Sequence, residues 1–343
     1  MIEKNITFVL GAGASMDYGF PSGKGLYNRI IEILEKSTSP EYEILKNVIQ
    51  EINLIREFHR KFTLVGNYSI DEFLRYNPDL RRIGKALICI ALIPFESNRL
   101  LFDYKKDNSW YFYLFEKMKT IKENFGKNKI SFVTFNYDRS LETFLYLSLI
   151  NSYNISEIEA ATLLKNFEFI HIHGKLGNPI YLNDEIIEYY NENPCSMFPE
   201  NNITYDGDPR DGVLNNDTDK IYFRDYYPTV TRFNVMESIK YIKIIHDEEN
   251  SQEIKRAKEL IDISDVTCFL GFGFHDINLK RLDIESRKCP KFCGTLLGFS
   301  NLEKKFLYKR VKDKFYDPLF PQKPIYNFLK EDFSELHSST FNL

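Results

Sequence analysis

The chain has little cysteine and no framework in what it has. Its five cysteines, Cys89, Cys195, Cys268, Cys289 and Cys293, are odd in number and lie mostly inside apolar segments, the usage of reduced thiols and not of a disulfide scaffold. Only Cys289 and Cys293 lie close together, and one pair falls short of the two pairs that a structural zinc module takes; no metal is expected. Long apolar runs are also missing. The longest, Ala86 to Pro94, is far shorter than the ~20 residues of a membrane span, and Met1-Ile2-Glu3-Lys4 runs into the first apolar segment with no room for a signal peptide. The expectation is a soluble, cytoplasmic protein with no membrane partner. Nor is there an excess of positive charge: 45 basic against 49 acidic residues give a net charge of −4. No global basic field invites nucleic acid, and direct nucleic-acid binding is not expected.

What remains is the composition of an ordinary globular protein. Hydrophobic residues make up 43% and charged residues 27% of the 343, enough apolar material for a sizeable core. The 29 Phe and 22 Tyr read as packing and not as a stacking platform. The length allows one large or two modest domains, and the alternation of elements reads as a single α/β domain over residues 1–343. Apolar residues recur at helical spacing at Leu26, Ile30, Ile33 and Leu34, and again at Leu45, Ile49, Ile52, Ile55 and Phe58 within one stretch from Tyr42 to Phe62. Ser69-Ile70-Asp71-Glu72 has the form of a capping box that opens another helix. Asp79 to Pro94 and Ser109 to Phe125 supply two more, so residues 24–125 predict a helical insertion after the first strand.

Beyond the insertion, β-formers concentrate in Ile130 to Phe135, Phe167 to Ile172, Val266 to Leu270 and Thr295 to Phe299. Helical sequence begins at Ser140 and Ser156, and runs over Asn250 to Ile263, Asn278 to Lys288 and Asn301 to Phe315. Residues 178–227 are dense in Asn, Asp, Pro and Gly and are predicted to be irregular. Five strands separated by helices imply a Rossmann-like, doubly wound parallel sheet.

The first strand ends in Phe8-Val9-Leu10-Gly11-Ala12-Gly13-Ala14-Ser15. An apolar run that enters Gly-x-Gly before helical sequence is a strand-turn-helix whose backbone amides can face a phosphate. Gly11 and Gly13 occupy the first two positions of the dinucleotide fingerprint, but Met16 stands at the third and no acidic residue closes a second strand about 20 residues on. An ordinary nicotinamide dehydrogenase is therefore disfavoured, and a tight turn without a ligand stays open.

Ligands of such sheets bind beyond the carboxyl ends of the strands. Four of the five predicted strands end in glycine or reactive polar residues: Gly11-Ala12-Gly13, Asn136-Tyr137-Asp138, His173-Gly174 and Gly271-Phe272-Gly273. The fold should bring them to one rim. Each also has a plainer reading: Asn136 and Asp138 as caps of the helix near Ser140, His173 as a turn histidine, Gly271 and Gly273 as turn glycines, and His275 and Asp276 as caps. His171, on the same strand face as His173 but deeper, reads as structural.

These motifs, with Gly19-Phe20-Pro21, Phe135 before Asn136, and Lys175-Leu176 after Gly174, occur in an order that resembles the sirtuin-like family, and more closely its bacterial branch of NAD-degrading anti-phage effectors. The resemblance spans residues 8 to about 300. Ser22-Gly23-Lys24 stands where sirtuin deacylases carry Asp-Phe-Arg, and the zinc module is missing, both of which point away from protein deacylation. The resemblance implies that NAD is a substrate, split into nicotinamide and ADP-ribose. It assigns Asn136 to the ribose and the attacking water, His173 to general-base catalysis and Asp138 to the nicotinamide carboxamide. Gly11, Ala12, Gly13 and Ser15 would cradle the pyrophosphate through their amides. Gly271, Phe272 and Gly273 would allow close approach of phosphate or the adenosine ribose, and Gly298 to Ser300 would touch adenine. An unregulated NADase would kill its host, so a homo-oligomer, or a partner such as an ATPase or a nucleic-acid-guided protein that senses infection, is expected. A non-catalytic module that binds NAD or ADP-ribose, and a deacylase or ADP-ribosyltransferase, are the alternatives.

Overall fold

The computed structural model describes residues 1–66, 69–179, 203–204, 211–215, 220–224, 226–244, 251–310 and 321–336. Its centre is a five-stranded parallel sheet of β1 (Ile6–Leu10), β2 (Ile130–Thr134), β3 (Glu168–His171), β7 (Val266–Leu270) and β8 (Phe292–Gly294), in the order β3-β2-β1-β7-β8. All five residues of β1 and of β7 are buried, because a central parallel strand is covered on both faces and has no polar side to show. Alternation along the strands divides the core. Ile6, Phe8 and Leu10 of β1, Ile130 and Phe132 of β2, and Cys268 of β7 enter one cluster, whereas Val9, Val133 and Phe269 enter another. The sheet is doubly wound, as the sequence predicts.

Between β1 and β2 the described chain is helical: α1 (Gly23–Glu35), α2 (Pro40–Ile49), α3 (Ile52–Val65), α4 (Ile70–Tyr76), α5 (Arg81–Leu92), α6 (Asn98–Leu101), α7 (Trp110–Met118) and α8 (Lys122–Phe125). Ser22, Ser39, Ser69 and Ser109 each cap a helix by accepting an amide three residues on. Two stretches predicted as single helices are broken. Tyr42 to Phe62 divides at Gln50, which takes a left-handed conformation (φ 63°) while Arg82 donates to the Val48 carbonyl at 3.0 Å. Ser109 to Phe125 divides after Met118, whose carbonyl accepts from Asn128 Nδ2 at 2.9 Å. In both, a side chain distant in sequence takes a carbonyl at or near the helix end.

Helices α9 (Ser140–Tyr153) and α10 (Glu157–Leu164) lead to β3; α11 (Arg232–Ser238), α12 (Gln252–Ile263), α13 (Asp276–Leu282), α14 (Asn301–Arg310) and α15 (Ile325–Glu331) complete the helical layers. The segment predicted as irregular contains a three-stranded antiparallel sheet, β4 (Ile203–Thr204), β5 (Asp211–Asn215) and β6 (Lys220–Arg224); most of its other residues, Cys195 among them, lie outside the described residues. Turn-forming residues hid these short strands, since a two- to five-residue strand leaves little periodicity to read. The last strand of the main sheet is Phe292–Gly294 and not Thr295 to Phe299: its register is set by Cys268 opposite Cys293, and the Leu296 amide already turns to the Pro321 carbonyl, 3.1 Å away. The helix predicted over Asn278 to Lys288 ends at Leu282, where Asp283 turns left-handed (φ 49°). Residues 311–315 of the stretch Asn301 to Phe315 lie outside the described residues.

With β2 and β3 on one side of β1 and β7 and β8 on the other, the strand order reverses between β1 and β7. Their loops meet there backbone to backbone. The Gly13 amide donates to the Gly271 carbonyl at 3.0 Å, and Gly271 takes φ 57°. A Cβ on Gly271 would lie 2.2 Å from the Ala14 nitrogen, and one on Gly11 would lie 2.5 Å from the Gly271 oxygen. Gly271→Ala therefore combines a left-handed alanine, which alone costs roughly 1–2 kcal/mol, with a backbone clash. We expect a loss of stability of at least about 2 kcal/mol, read from the midpoint of urea unfolding.

Candidate functional site

Beyond the carboxyl ends of β1, β2, β3 and β7 opens a crevice of about 590 Å³, within the roughly 300–1,000 Å³ of small-molecule sites. Gly11, Ala12, Gly13, Ser15, Asn136, Asp138, His173, Gly271, Phe272 and Gly273 all line it. Four stretches widely separated in sequence thus share one rim, at the place where the strand order reverses. Gly298 to Ser300 do not line it.

Asn136 is fixed from three directions. Its amide N–H donates to Thr134 Oγ1 at 3.0 Å, and its carbonyl lies 3.2 Å from His171 Nδ1. Its side-chain nitrogen donates to the Gly11 carbonyl at 2.9 Å and to Ser15 Oγ at 3.0 Å. The Gly11 oxygen can only accept, so the amide nitrogen must face the glycine loop. Oδ1 is thereby turned away from the loop, with no hydrogen bond to any described residue.

His171 has the structural role expected of it. Its Nε2 lies 2.5 Å from Glu142 Oε1 while Nδ1 meets the Asn136 carbonyl, so both partners of this buried ring are acceptors. Burial works to raise the Glu142 carboxyl, but the charge and hydrogen bond of His171, with Lys175 beyond, hold it below its ordinary value. The pair anchors α9 against the end of β3 and holds the main chain of Asn136.

Asp138 lines the crevice and also binds the first residue of α9. Oδ1 accepts from the Ser140 amide at 3.1 Å and from the Ser140 hydroxyl, which caps the start of α9. Burial pushes its carboxyl up, partly opposed by the hydroxyls of Ser140 and Ser15. Ser140 Oγ also meets Tyr111 Oη at 2.7 Å, and the neighbouring Trp110 donates from Nε1 to the Ala14 carbonyl at 2.9 Å. The start of α7 thus braces both the glycine loop and the Asp138 turn. Next to Asp138, Arg139 is wholly buried and bidentate to Glu96, with Nε and Nη2 at 3.0 and 2.9 Å. This ion pair ties the insertion to the loop after β2.

His173 follows β3 in a turn closed by Gly174 (φ 72°), where a Cβ would lie 1.9 Å from the Tyr241 carbonyl oxygen. Its ring stands edge-on to Phe135, centroids 5.8 Å apart, and beside Tyr137 at 5.7 Å. Phe135 rests on Phe272 at 5.2 Å, and Phe272 rests on Phe269 and Phe274. Phe272 is 2% exposed, so its side chain packs into the core while the residue lines the crevice. His173 Nδ1 lies 3.2 Å from Asp71 Oδ1, without the alignment of a hydrogen bond, and has no hydrogen-bond partner among the described residues.

The expected phosphate cradle is largely spent inside the protein. The amides of Gly11, Gly13 and Ser15 bond the carbonyls of Leu270, Gly271 and Ala12 at 3.1, 3.0 and 3.2 Å. Of the amides assigned to the cradle, Ala12 alone makes no backbone hydrogen bond among the described residues. The glycines at 11, 13 and 271 are required by contact with one another. Sequence reasoning missed the insertion's contribution: Lys24, Asp71 and Glu72 line the crevice, as do His275, Asn278 and Arg281 from the β7 side. The signal was present in Ser69-Ile70-Asp71-Glu72, read only as a cap; Ser69 does accept from the Glu72 amide at 3.2 Å. His275 stands at the N-cap of α13 but makes no side-chain capping bond.

Two energetic expectations follow from the buried charges. Glu96→Gln should cost about 3–5 kcal/mol in urea unfolding, because it strands the Arg139 guanidinium without its countercharge. The Glu142 carboxyl is depressed from 4.5 in the fold, so its contribution is full above that value and lost as pH falls through the folded value. Unfolding free energies of wild type should therefore fall below about pH 4.5, and Glu142→Gln should lower stability at neutral pH and flatten this part of the curve. Among known proteins, no family model matches the chain and no curated protein matches it, so the likeness to the sirtuin-like effectors rests on the four motifs quoted above.

Proposed function

We propose that the chain is an NAD+ hydrolase that releases nicotinamide and leaves ADP-ribose, and that it acts as a sirtuin-like effector in bacterial anti-phage defence by depleting NAD. One observation carries the reading: Asn136, whose Nδ2 is tied to Gly11 and Ser15 so that Oδ1 makes no hydrogen bond to a described residue, and His173, whose Nδ1 has no aligned hydrogen-bond partner among the described residues, line the same crevice at the reversal of strand order. A site that only binds a dinucleotide needs no imidazole beside a polarising amide.

Cleavage of the bond between nicotinamide and ribose calls for stabilisation of an oxocarbenium-like centre and delivery of water to it, as in glycoside hydrolysis. The pyridinium takes the bonding electron pair as it leaves and needs no acid. The water oxygen bonds to the anomeric carbon, and its proton passes to His173 and then to solvent. Asn136 Oδ1 accepts from the attacking water or a ribose hydroxyl; its nitrogen, tied to Gly11 and Ser15, keeps it oriented. The Asp138 carboxylate accepts from the nicotinamide carboxamide. Because the glycine-loop amides are mostly engaged, the pyrophosphate is left to the Ala12 amide and to the cations of the crevice, Lys24 and Arg281. The chemistry asks for no metal ion. Control of the activity is assigned to self-association or to a partner protein that senses infection.

Incubation with NAD alone tests the reading. Mass spectrometry should detect free nicotinamide and ADP-ribose without any acceptor protein, and Asn136→Ala and His173→Ala should each reduce release by at least about 10²-fold, the usual scale of a general-base contribution. Both variants should keep the wild-type unfolding midpoint within a few degrees. Turnover by both variants at the wild-type rate would remove the catalytic assignment.

A further inference from the structure

We propose that Asp71, carried by the helical insertion, is the residue that orients His173, so that the insertion supplies half of an Asp–His pair to a crevice otherwise built from strand ends. The inference deepens the hydrolase reading and rests on it. Asp71 sits in the first turn of α4, where its carboxylate is not needed for capping, since Ser69 holds the Glu72 amide. It reaches into the crevice. Oδ1 lies 3.2 Å from His173 Nδ1, with side-chain exposures of 18% and 6%, and the Tyr137 hydroxyl donates to the same oxygen. No described residue makes an aligned hydrogen bond with Nδ1.

The chemistry follows from the imidazole itself. A neutral ring has one donor and one acceptor nitrogen. A carboxylate facing Nδ1 holds the proton there and leaves Nε2 as the base. The contact has the length of a hydrogen bond but lacks its alignment, a condition common in catalytic pairs before substrate binds. Phe135 and Tyr137, each within 6 Å of the imidazole centroid, limit its rotation. Burial would raise the Asp71 carboxyl, but its neighbours His173, Tyr137, which donates to it, and Arg281 outweigh that and hold it below its ordinary value. Burial and the Asp71 charge push the Tyr137 hydroxyl well up, so that it remains a donor. Lys24, Glu72, Asp138, His275 and Arg281 are the other charged or titratable groups that line the crevice.

Asp71 is a positioning residue, and its test reads more than loss of activity. Nicotinamide release is followed against NAD concentration and pH for wild type, Asp71→Asn and Asp71→Glu. Asp71→Asn should lower kcat on the order of 10–100-fold with KM little changed, a part of the general-base contribution. It should also move the acidic limb of the kcat profile to lower pH, because the charge that favours imidazolium has gone. Asp71→Glu should restore most of kcat and the wild-type limb. Wild-type kcat and limb in Asp71→Asn, or equal loss in both variants, would overturn the pairing.

A readout independent of turnover separates this inference from the hydrolase reading. In wild type the ¹⁵N resonances of His173 should report a neutral ring protonated at Nδ1, and Asp71→Asn should shift that balance towards Nε2. If wild type releases no nicotinamide, the hydrolase reading fails and the pair is judged by these resonances alone. A His173 protonated at Nε2 and unaffected by Asp71→Asn would refute the pair.

Discussion

The contact of two loop backbones at the centre of the sheet is the constraint on which the rest depends. Parallel strands lie close together, and where β1 and β7 both end in loops, the loops can turn over the sheet edge only if neither carries a side chain at the point of meeting. Gly11, Gly13 and Gly271 meet that condition, and main-chain hydrogen bonds from Gly11 to Leu270 and from Gly13 to Gly271 seal the join. The join consumes most of the amides that a glycine-rich turn would otherwise offer to an anion. The same residues that resemble a phosphate cradle in sequence are, in the fold, the floor of the crevice.

On that floor the polar side chains are held by a scaffold of buried charged pairs. Glu96 with Arg139, and Glu142 with His171, lie behind the turn Asn136-Tyr137-Asp138, and Lys175 stands near Glu142. Buried pairs of this kind are weak contributors to net stability, because desolvation offsets attraction. Their effect is geometric: each member must find its partner, so the turn has one acceptable arrangement. Asn136 is held by main chain and side chain together, which leaves one atom for a ligand.

The helical insertion is an active part of this arrangement and not an appendage. Among its contacts with the rim are Glu96 on Arg139, Trp110 on the glycine loop, Tyr111 on Ser140, and Asp71 beside His173. Any displacement of the insertion would therefore change the imidazole, the Asp138 turn and the glycine loop at once.

Periodicity and composition determined the layers of this protein. A strand buried on both faces has to be apolar throughout, so Phe8 to Leu10, Ile130 to Thr134 and Val266 to Leu270 announce themselves, and the serines before α1, α4, α7 and α10 mark helix starts because their hydroxyls are the local acceptors for orphan amides. Strand ends in a parallel sheet converge by topology, which is why Asn136, Asp138, His173 and Gly271 could be placed on one rim from sequence order. Tertiary structure decided what order could not express. The breaks at Gln50 and after Met118, the short β8 and the small antiparallel sheet depend on partners or pairings that no local window contains. Whether a glycine amide faces a ligand or another loop, which atom of Asn136 stays open, and that Asp71 meets His173 are all matters of contact between segments far apart in the chain, and a hydrogen bond is fixed only when both of its ends are in place.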